Sequence, residues 1–215
     1  MNPAESWVYT GGDDCADFFG SCLRQAAIDV PTDARVLEIG CAEFNWLAPA
    51  AKSWPSMRFT GIDWRVRDPH LDTEQIVRLK CDARDSTLFP ADTFDWIVSI
   101  SAIEHIGLGH YERDPEDADG DIHVIQNAMR WLKPGGWLLF DVPYDPGSYR
   151  VHGTEYRAYD DAALRSRLRV EDVAIERGPW YASPGHSTVL IDKPRISGSK
   201  HFYYVGMAWQ KRLTT

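Results

Sequence analysis

Short, largely apolar runs recur along the first two thirds of the chain, and segments with helical patterning separate them. The runs span residues 34–39, 57–62, 76–81, 94–100 and 137–142. Runs of this length and composition are typical of strands that helices cover on both faces. The alternation therefore predicts an α/β fold with a doubly wound, mostly parallel sheet.

Three segments in this part of the chain have the patterning of helices. Residues 14–28 are expected to form an N-terminal helix that Pro31 closes, and residues 46–54 follow the first strand. Residues 122–132 lead into the sequence KPGG, in which Lys133 suits the last turn of a helix and Pro-Gly-Gly stops it. We therefore expect KPGG to be the turn before the fifth strand.

The last third of the chain has a different pattern. Residues 159–168 favour a helix, whereas residues 170–176 and 201–211 favour strands with no helix between them. Because a parallel return needs a crossover, these two strands are expected to be antiparallel. The predicted sheet then has seven strands and an antiparallel C-terminal strand. With no repeat or evident linker, residues 1–215 are expected to form a single domain.

The composition limits the class of protein. A chain of 215 residues with 44% apolar residues can enclose one substantial core. Its net charge of −9 argues against a nucleic-acid partner, because binding to polyanions depends on clustered lysine and arginine. No apolar run reaches membrane-spanning length, and none opens the chain as a secretion signal would.

The cysteines indicate the compartment. Cys15, Cys22, Cys41 and Cys81 include no CxxC pair, so neither a disulfide framework nor a zinc site is indicated. We expect a reduced, cytoplasmic protein in which these side chains are buried packing residues.

The stretch VLEIGCAEFNWL, residues 36–47, joins the first predicted strand to the next helix. In an open α/β sheet, ligands bind at the carboxyl ends of strands, and Gly40 lies at that point. A dinucleotide loop needs further glycines, but the corresponding positions carry Ala42 and Asn45. Glu38, near the end of a buried strand, is costly without a partner or a cationic ligand. The loop is therefore expected to bind a ligand with positive charge.

This loop resembles the first motif of class I S-adenosylmethionine-dependent methyltransferases, whose usual form is E-x-G-x-G-x-G. The sequence keeps Glu38 and Gly40 and replaces the later glycines with Ala42 and Phe44. The resemblance implies a seven-stranded Rossmann-like fold, S-adenosylmethionine as cofactor and S-adenosylhomocysteine as product. It also implies that Glu38, Gly40, Cys41 and Ala42 bind the cofactor.

Three further strand ends supply predicted cofactor residues. Asp63 in FTGIDW follows the second strand, and the resemblance implies that it binds the ribose hydroxyls while Trp64 covers the adenine. Asp82 and Ala83 in LKCDARD follow the third strand, where the family contacts the adenine ring. Ser101, after the fourth strand, completes the predicted set.

The segments TFDWIVSISAIEHIG and MRWLKPGGWLLFDVP resemble the fourth and fifth strand regions of the family, in the right order. The resemblance thus covers about residues 34–143, which it identifies as the half that binds the cofactor. Residues 144–215 would then supply the substrate side and the C-terminal strands.

The sequence SAIEHIGLGHY supplies the candidate catalytic residues, Glu104 and His105. Methyl transfer to a hydroxyl requires removal of a proton, and histidine titrates near neutrality, so His105 is the predicted general base. The alternative is that both residues only cap and pack a short helix. Ser101, Glu104 and His105 also resemble the E-x-x-E-H motif of metal-assisted O-methyltransferases. Because a serine replaces the first glutamate, a divalent metal is an alternative that we do not favour.

The acidic segment HYERDPEDADGD, residues 110–121, does not have the spacing of a calcium loop. Gly120 is displaced from the position that such a loop requires, and the final glutamate is missing. We expect a solvated loop in which Asp121 caps the next helix.

The acceptor is predicted partly from what the sequence lacks. SISAIEH has none of the Asn/Asp-Pro-Pro-aromatic motif of enzymes that methylate adenine or glutamine. A small molecule is therefore favoured, above all a hydroxyl of a sugar, glycan or secondary metabolite. The run IEHIGLGHY also resembles uncharacterised bacterial methyltransferases grouped with polysaccharide genes.

Two segments rich in aromatic residues and glycine, 5–14 and 142–160, are expected to shape the acceptor pocket. The irregular residues 178–200 are a third segment, for which the sequence does not indicate whether it closes over the substrate. The candidate contacts are Trp7, Tyr9, Tyr144, Tyr149, Arg150, His152 and Tyr156.

Two other functions stay open on the sequence alone. One is an NAD(P)-dependent oxidoreductase of Rossmann type, against which the sparse glycines after Gly40 count. The other is a catalytically silent module that uses the same fold to hold a partner. The sequence sets neither the acceptor atom nor the oligomeric state.

Overall fold

The computed structural model describes residues 21–22, 24–28, 32–42, 46–65, 73–111, 114–183, 190–195 and 203–214. Its main feature is a sheet of seven strands. These are β1 (Arg35–Ile39), β2 (Arg58–Asp63), β3 (Ile76–Lys80), β4 (Phe94–Ser99), β5 (Leu132–Tyr144), β8 (Val173–Ala182) and β9 (Tyr203–Lys211).

The strands lie side by side in the order β3-β2-β1-β4-β5-β9-β8. Strands β1 to β5 are parallel, and β9 is antiparallel to both of its neighbours, β5 and β8. This confirms the predicted mostly parallel, seven-stranded sheet with an antiparallel C-terminal strand. The strand order reverses between β1 and β4, so a crevice is expected at their carboxyl ends.

Helices cover both faces of the sheet at β1, as predicted. Val36 belongs to the same apolar cluster as helix α1 (Leu47–Ser53), whereas Leu37 packs in the cluster of α2 (Gly120–Trp131) and α3 (Asp161–Ser166). Successive side chains of a strand point to opposite faces, and all residues of β1 after Arg35 are buried. The prediction that residues 76–81 are buried on both faces is wrong, because β3 lies at the edge of the sheet with Val77 48% and Leu79 40% exposed.

The predicted helices are present with different ends. Helix α1 lies within the predicted 46–54, and residues 21, 22 and 24–26 are helical, while the predicted 14–20 lies outside the described residues. Helix α3 is shorter than the predicted 159–168, because Tyr159 bridges Tyr144 on β5.

The prediction that Asp121 caps α2 is wrong. The helix begins at Gly120 after Asp119, and the Asp121 side chain is fully buried. Its carboxylate accepts hydrogen bonds from the Arg167 guanidinium at 2.7 and 2.8 Å and from the Tyr159 hydroxyl at 2.8 Å. These partners follow far later in the chain, so the local pattern could not reveal them.

The prediction that KPGG is a turn before the fifth strand is also wrong. Strand β5 already begins at Leu132, which pairs with Phe94, and the regular pairing of β5 with β4 resumes at Trp137. The four intervening residues form a bulge in which Gly135 has φ +80°. The Lys133 ammonium binds Asp95 on β4 at 2.8 Å rather than the end of α2.

A hairpin that the sequence did not reveal follows β5. It pairs β6 (Arg150–His152) with β7 (Tyr156–Ala158) in a separate small sheet. Strand β7 packs against β5 and against a 3₁₀ turn at Ile103–His105. The hairpin therefore brings the part of the chain that follows β5 to the carboxyl end of β4.

Strands β8 and β9 correspond to the predicted 170–176 and 201–211, with residues 201 and 202 outside the described part. Across the described ranges, no helix is long and apolar enough to cross a membrane.

Candidate functional site

A cleft lies at the carboxyl ends of β1, β2 and β4, where the strand order reverses. It contains about 570 Å³ of empty space, including its open mouth. Seven of the residues predicted from the sequence line it together: Gly40, Asp63, Trp64, Asp82, Ala83, Ser101 and His105. Glu38, Cys41 and Glu104 are buried and are neighbours in sequence of residues in this lining, whereas Ala42 is exposed two residues after Gly40.

Glu38 on β1 is the most unusual group at this end of the sheet. Its side chain is fully buried, and neither carboxylate oxygen has a hydrogen-bond partner. Burial raises the pKa of Glu38 well above its ordinary value, and the nearby charge of Asp63 raises it further. An ionised Glu38 would therefore be a strong attractant for a cationic group.

The loop after β1 is shaped by Gly40. Its φ of +90° is unfavourable for other residues, and a Cβ atom there would overlap the Cβ of Ala102. The Gly40 N–H donates to the Ile62 carbonyl at 2.8 Å, which ties the loop to the end of β2. The Ala42 N–H donates to Asp63 Oδ2 at 3.2 Å.

Asp63 at the end of β2 is held by a neighbour that the sequence analysis missed. The Arg65 N–H donates to Oδ1 at 2.7 Å, and the guanidinium contacts Oδ1 at 3.2 Å and Oδ2 at 3.3 Å. The same guanidinium lies 3.7 Å from the centre of the Tyr111 ring. Arg65 and Tyr111 therefore form one wall of the cleft beside Asp63.

Asp82 at the end of β3 repeats this arrangement with Arg84. The Arg84 N–H donates to Oδ1 at 2.9 Å, and Nη2 donates to Oδ2 at 2.7 Å and to Asp114 Oδ1 at 2.8 Å. The signal in the sequence is Asp-x-Arg after both strands, in DWR and DAR. Between them, Ala83 is buried, and its carbonyl accepts a hydrogen bond from Asn127 Nδ2 at 3.0 Å.

The turn after β4 holds Ser101, Glu104 and His105. Ser101 has φ +43°, and its hydroxyl donates to Glu104 Oε1 at 2.6 Å. Glu104 is fully buried and its Oε2 has no hydrogen-bond partner, so burial raises its pKa, opposed by His105 and the Ser101 hydrogen bond. His105 Nε2 lies 3.6 Å from Glu104 Oε1, and Nδ1 makes a short contact with the Glu155 carbonyl.

Aromatic rings surround His105. The His110 ring stacks on it with centres 5.6 Å apart, and Tyr111 meets it edge-on at 6.0 Å. In the hairpin, His152 stacks on Tyr156 with ring centres 4.5 Å apart.

The other predicted acceptor contacts are placed differently. Tyr144 is buried and packs on Tyr181 at 4.9 Å, so it belongs to the core rather than to an open pocket. Tyr149 packs on Tyr159 at 5.6 Å, and Arg150 is exposed beside Asp145. The segment 5–14, with Trp7 and Tyr9, and residues 184–189 and 196–200 lie outside the described residues.

Within the described ranges, no group of three or more His, Cys, Asp and Glu side chains is placed to hold a metal ion. The cysteines in those ranges pack as expected: Cys22 and Cys41 are buried and Cys81 is half-buried, while Cys15 is not described. Burial raises the pKa of Cys81 to about 11, with smaller contributions from nearby aspartates, so this thiol stays protonated at neutral pH.

Comparison with known proteins identifies a family and several relatives of this chain. A sequence profile described as "Methyltransferase domain" matches residues 17–182. A trans-aconitate 2-methyltransferase of Streptomyces avermitilis is 32% identical over 136 residues, which are 57% of this chain and 45% of that protein. The chain spans about half the length of several curated relatives that it matches.

Two solved structures share the fold. One is the 1,6-didemethyltoxoflavin-N1-methyltransferase of Burkholderia thailandensis with bound 1,6-didemethyltoxoflavin and S-adenosylhomocysteine, at a TM-score of 0.65 and 18% identity over 93% of this chain and 80% of that one. The other is the N-methyltransferase NodS of Bradyrhizobium japonicum with S-adenosylhomocysteine, at a TM-score of 0.57 and 18% identity over 98% of this chain and 99% of that one. At these identities the similarity shows a shared fold alone.

Proposed function

Because the chain belongs to the methyltransferase-domain family and has the fold of class I S-adenosylmethionine-dependent methyltransferases, we propose that it transfers a methyl group from S-adenosylmethionine to a small polar acceptor. The product of the cofactor would be S-adenosylhomocysteine. The cleft at the carboxyl ends of β1, β2 and β4 is the proposed site.

The observation that carries this proposal is the buried, unpartnered carboxylate of Glu38. A cationic group offsets the desolvation of such a carboxylate, and S-adenosylmethionine carries both an ammonium and a sulfonium. A nicotinamide dinucleotide would instead bring the negative charge of its pyrophosphate to the loop at Gly40. A buried carboxyl group that a cationic ligand would stabilise in its ionised form therefore favours the methyltransferase over the oxidoreductase.

We assign the other predicted residues to the rest of the cofactor. Asp63 would accept hydrogen bonds from the ribose hydroxyls in place of the Arg65 guanidinium, whose contacts are the longer ones at 3.2 and 3.3 Å. Asp82 and Ala83 would contact the adenine, and Trp64 would cover it.

The loops around the cofactor supply the remaining contacts. Gly40, Cys41 and Ala42 would let the backbone approach the methionine part, and Ser101 would lie beside it. In the bound state the cofactor supplies an electrophilic methyl group.

We propose that His105 accepts the proton and that Glu104 stabilises the protonated His105 ring. His105 lines the cleft, so it can accept the proton that a hydroxyl loses as its oxygen attacks the methyl group. The Glu104 carboxyl group lies 3.6 Å from His105 Nε2 and would stabilise the protonated ring. A silent binding module would need neither group in this position.

The acceptor that we favour is a hydroxyl of a sugar, glycan or secondary metabolite. The stacked rings of His105 and His110 and of His152 and Tyr156 would bind a flat or ring-shaped molecule. The relative named for trans-aconitate adds small carboxylic acids to the compounds worth testing.

The experiment is transfer of a radiolabelled methyl group from S-adenosylmethionine to panels of sugars, hydroxylated metabolites and small carboxylic acids. With an acceptor in hand, His105→Ala should slow transfer on the order of a hundredfold and leave cofactor affinity unchanged. His123→Ala is the matched control, because this side chain is 49% exposed and pairs with Asp117. Equal rates for the His105 variant and the wild type would refute the assignment.

We further propose that residues 1–215 act as one domain, in which residues 34–143 bind the cofactor and residues 144–215 form the substrate side. The β6–β7 hairpin, which follows residue 143, packs against the 3₁₀ turn that carries the proposed base. This contact joins the two parts and supports a single domain.

A further inference from the structure

Arg157 on β7 is a fully buried cation that contacts three separate parts of the chain. Its Nη1 donates to the carbonyls of Ile106 at 2.7 Å and Glu104 at 3.3 Å. Its Nη2 donates to the carbonyls of Asp117 and Ala118, each at 3.2 Å. One rigid guanidinium therefore fixes the 3₁₀ turn relative to the acidic loop.

The two carbonyls in the turn flank His105 on either side in the sequence. A planar guanidinium that holds both of them restricts the backbone from which the imidazole projects. The charge of Arg157 is balanced by the buried Asp121 carboxylate, 3.6 Å from its Nε. Arg157 thus orients His105 without contacting its ring.

The same hairpin contacts the ring directly. His105 Nδ1 makes a short contact with the backbone carbonyl of Glu155, at the turn between β6 and β7. A carbonyl oxygen only accepts hydrogen bonds, so the nitrogen that it contacts must carry the proton. In the neutral ring the lone pair is then on Nε2.

We propose that the β6–β7 hairpin, through the Glu155 carbonyl and the Arg157 guanidinium, holds neutral His105 with its proton on Nδ1 and makes Nε2 the basic nitrogen. Arg157 is a positioning residue for His105. This inference rests on the proposed function only for its catalytic meaning, because the tautomer is a property of the protein without substrate.

The test is long-range ¹H–¹⁵N correlation NMR of the protein labelled with ¹⁵N-histidine. The His105 signals are assigned by their loss in His105→Gln. The expected result is a protonated Nδ1 and an unprotonated Nε2 at high pH, the reverse of the tautomer preferred by histidine free in water. A wild-type His105 with its proton on Nε2 overturns the proposal without any variant.

Arg157→Lys keeps the charge and removes the planar fork. The expected result is a mixture of His105 tautomers in a variant whose backbone amide spectrum keeps the dispersion of the folded protein. An unchanged His105 tautomer in a folded variant refutes the role of Arg157. If the variant does not fold, the wild-type spectrum still decides the tautomer. Arg157→Gln is then the second variant, because its side chain ends in a planar amide but lacks the guanidinium fork.

Binding of S-adenosylhomocysteine to the same samples separates this inference from the proposed function. Lack of binding with the expected tautomer would refute the proposed function alone, whereas binding with the reversed tautomer would refute the hairpin inference alone. Once an acceptor is found, Arg157→Lys should lower kcat by about tenfold to a hundredfold with the affinity for S-adenosylhomocysteine unchanged.

Discussion

At the scale of single residues, Glu38 destabilises the folded protein, because its carboxylate oxygens are buried without a hydrogen-bond partner. A buried polar group without a partner costs about 1 to 3 kcal/mol. Burial and the charge of Asp63 raise its pKa, so the folded state binds the proton more tightly than the unfolded state does. The contribution of Glu38 to stability is therefore greatest below pH of about 4.3 and falls as pH rises above that value.

Glu38→Gln should accordingly raise the free energy of unfolding near neutral pH by up to about 1.4 kcal/mol for each pH unit above 4.3, because glutamine does not ionise in the unfolded state. The gain should disappear toward pH 3, where the wild-type carboxyl group is protonated in both states. The same variant should bind S-adenosylmethionine more weakly. Urea unfolding across the pH range and calorimetric titration measure the two effects.

Glu74→Gln is the control for this prediction, because Glu74 is exposed. It should change neither stability nor affinity appreciably. A Glu38 variant whose stability gain does not depend on pH would contradict the explanation, since the gain would then not come from ionisation.

Single residues also mark the limit of the sequence analysis at the site. Asp63 and Asp82 were predicted because an acid at the end of a short apolar run matches the family pattern, which is local in the sequence. Their arginine partners were not, although both follow the pattern Asp-x-Arg. The contacts of Arg65 with Tyr111 and of Arg84 with Asp114 depend on a loop remote in sequence, which the pattern does not locate.

At the scale of elements, the approach of α1 to β2 depends on Gly61. A Cβ atom there would lie 2.6 Å from Leu47 Cδ1 and 2.7 Å from Cys41 Sγ. Gly61→Ala should therefore destabilise the protein by about 1 to 3 kcal/mol, the usual cost of overpacking a core. Denaturant unfolding measures it, with Thr60→Ala on the same strand as a control. An equal effect of both changes would mean that this packing is not tight.

The buried Asp121 carboxylate connects α2 to the segment around α3. Asp121→Asn would leave the buried Arg157 without its countercharge and should cost about 3 to 5 kcal/mol in unfolding free energy. Asp119 contacts Arg167, which also binds Asp121, at 3.3 Å, but its side chain is 58% exposed. Asp119→Asn should therefore cost no more than about 1 kcal/mol in unfolding free energy.

Thermal unfolding of the two aspartate variants gives the comparison directly. Similar losses of stability would show that the buried cluster contributes no more than a surface ion pair.

The sequence predicted those elements that hydrophobic periodicity determines. It did not predict the elements that depend on contacts between distant parts of the chain. The apolar runs located all seven strands of the sheet. The β6–β7 hairpin has only three residues in each strand, too few for an alternating pattern. The bulge at 133–136 resembles a turn in sequence because Pro-Gly-Gly suits both structures.

At the scale of the whole molecule, the order of strands and helices was enough to predict the sheet, because a βα alternation has few ways to bury both faces. The reversal of strand order next to β1 then places the cleft. The acceptor side is less predictable, since it is assembled from the hairpin and from loops whose positions depend on packing.

The central claim is that the cleft binds S-adenosylmethionine through Asp63. The most direct measurement is isothermal titration calorimetry of S-adenosylmethionine, S-adenosylhomocysteine and NADH with the wild type and Asp63→Ala, using the exposed Asp172→Ala as control. We predict binding of the first two ligands alone, weakened by about 1 to 3 kcal/mol in Asp63→Ala, or roughly 5-fold to 150-fold. Binding of NADH alone, or an affinity unchanged by Asp63→Ala, would contradict the account.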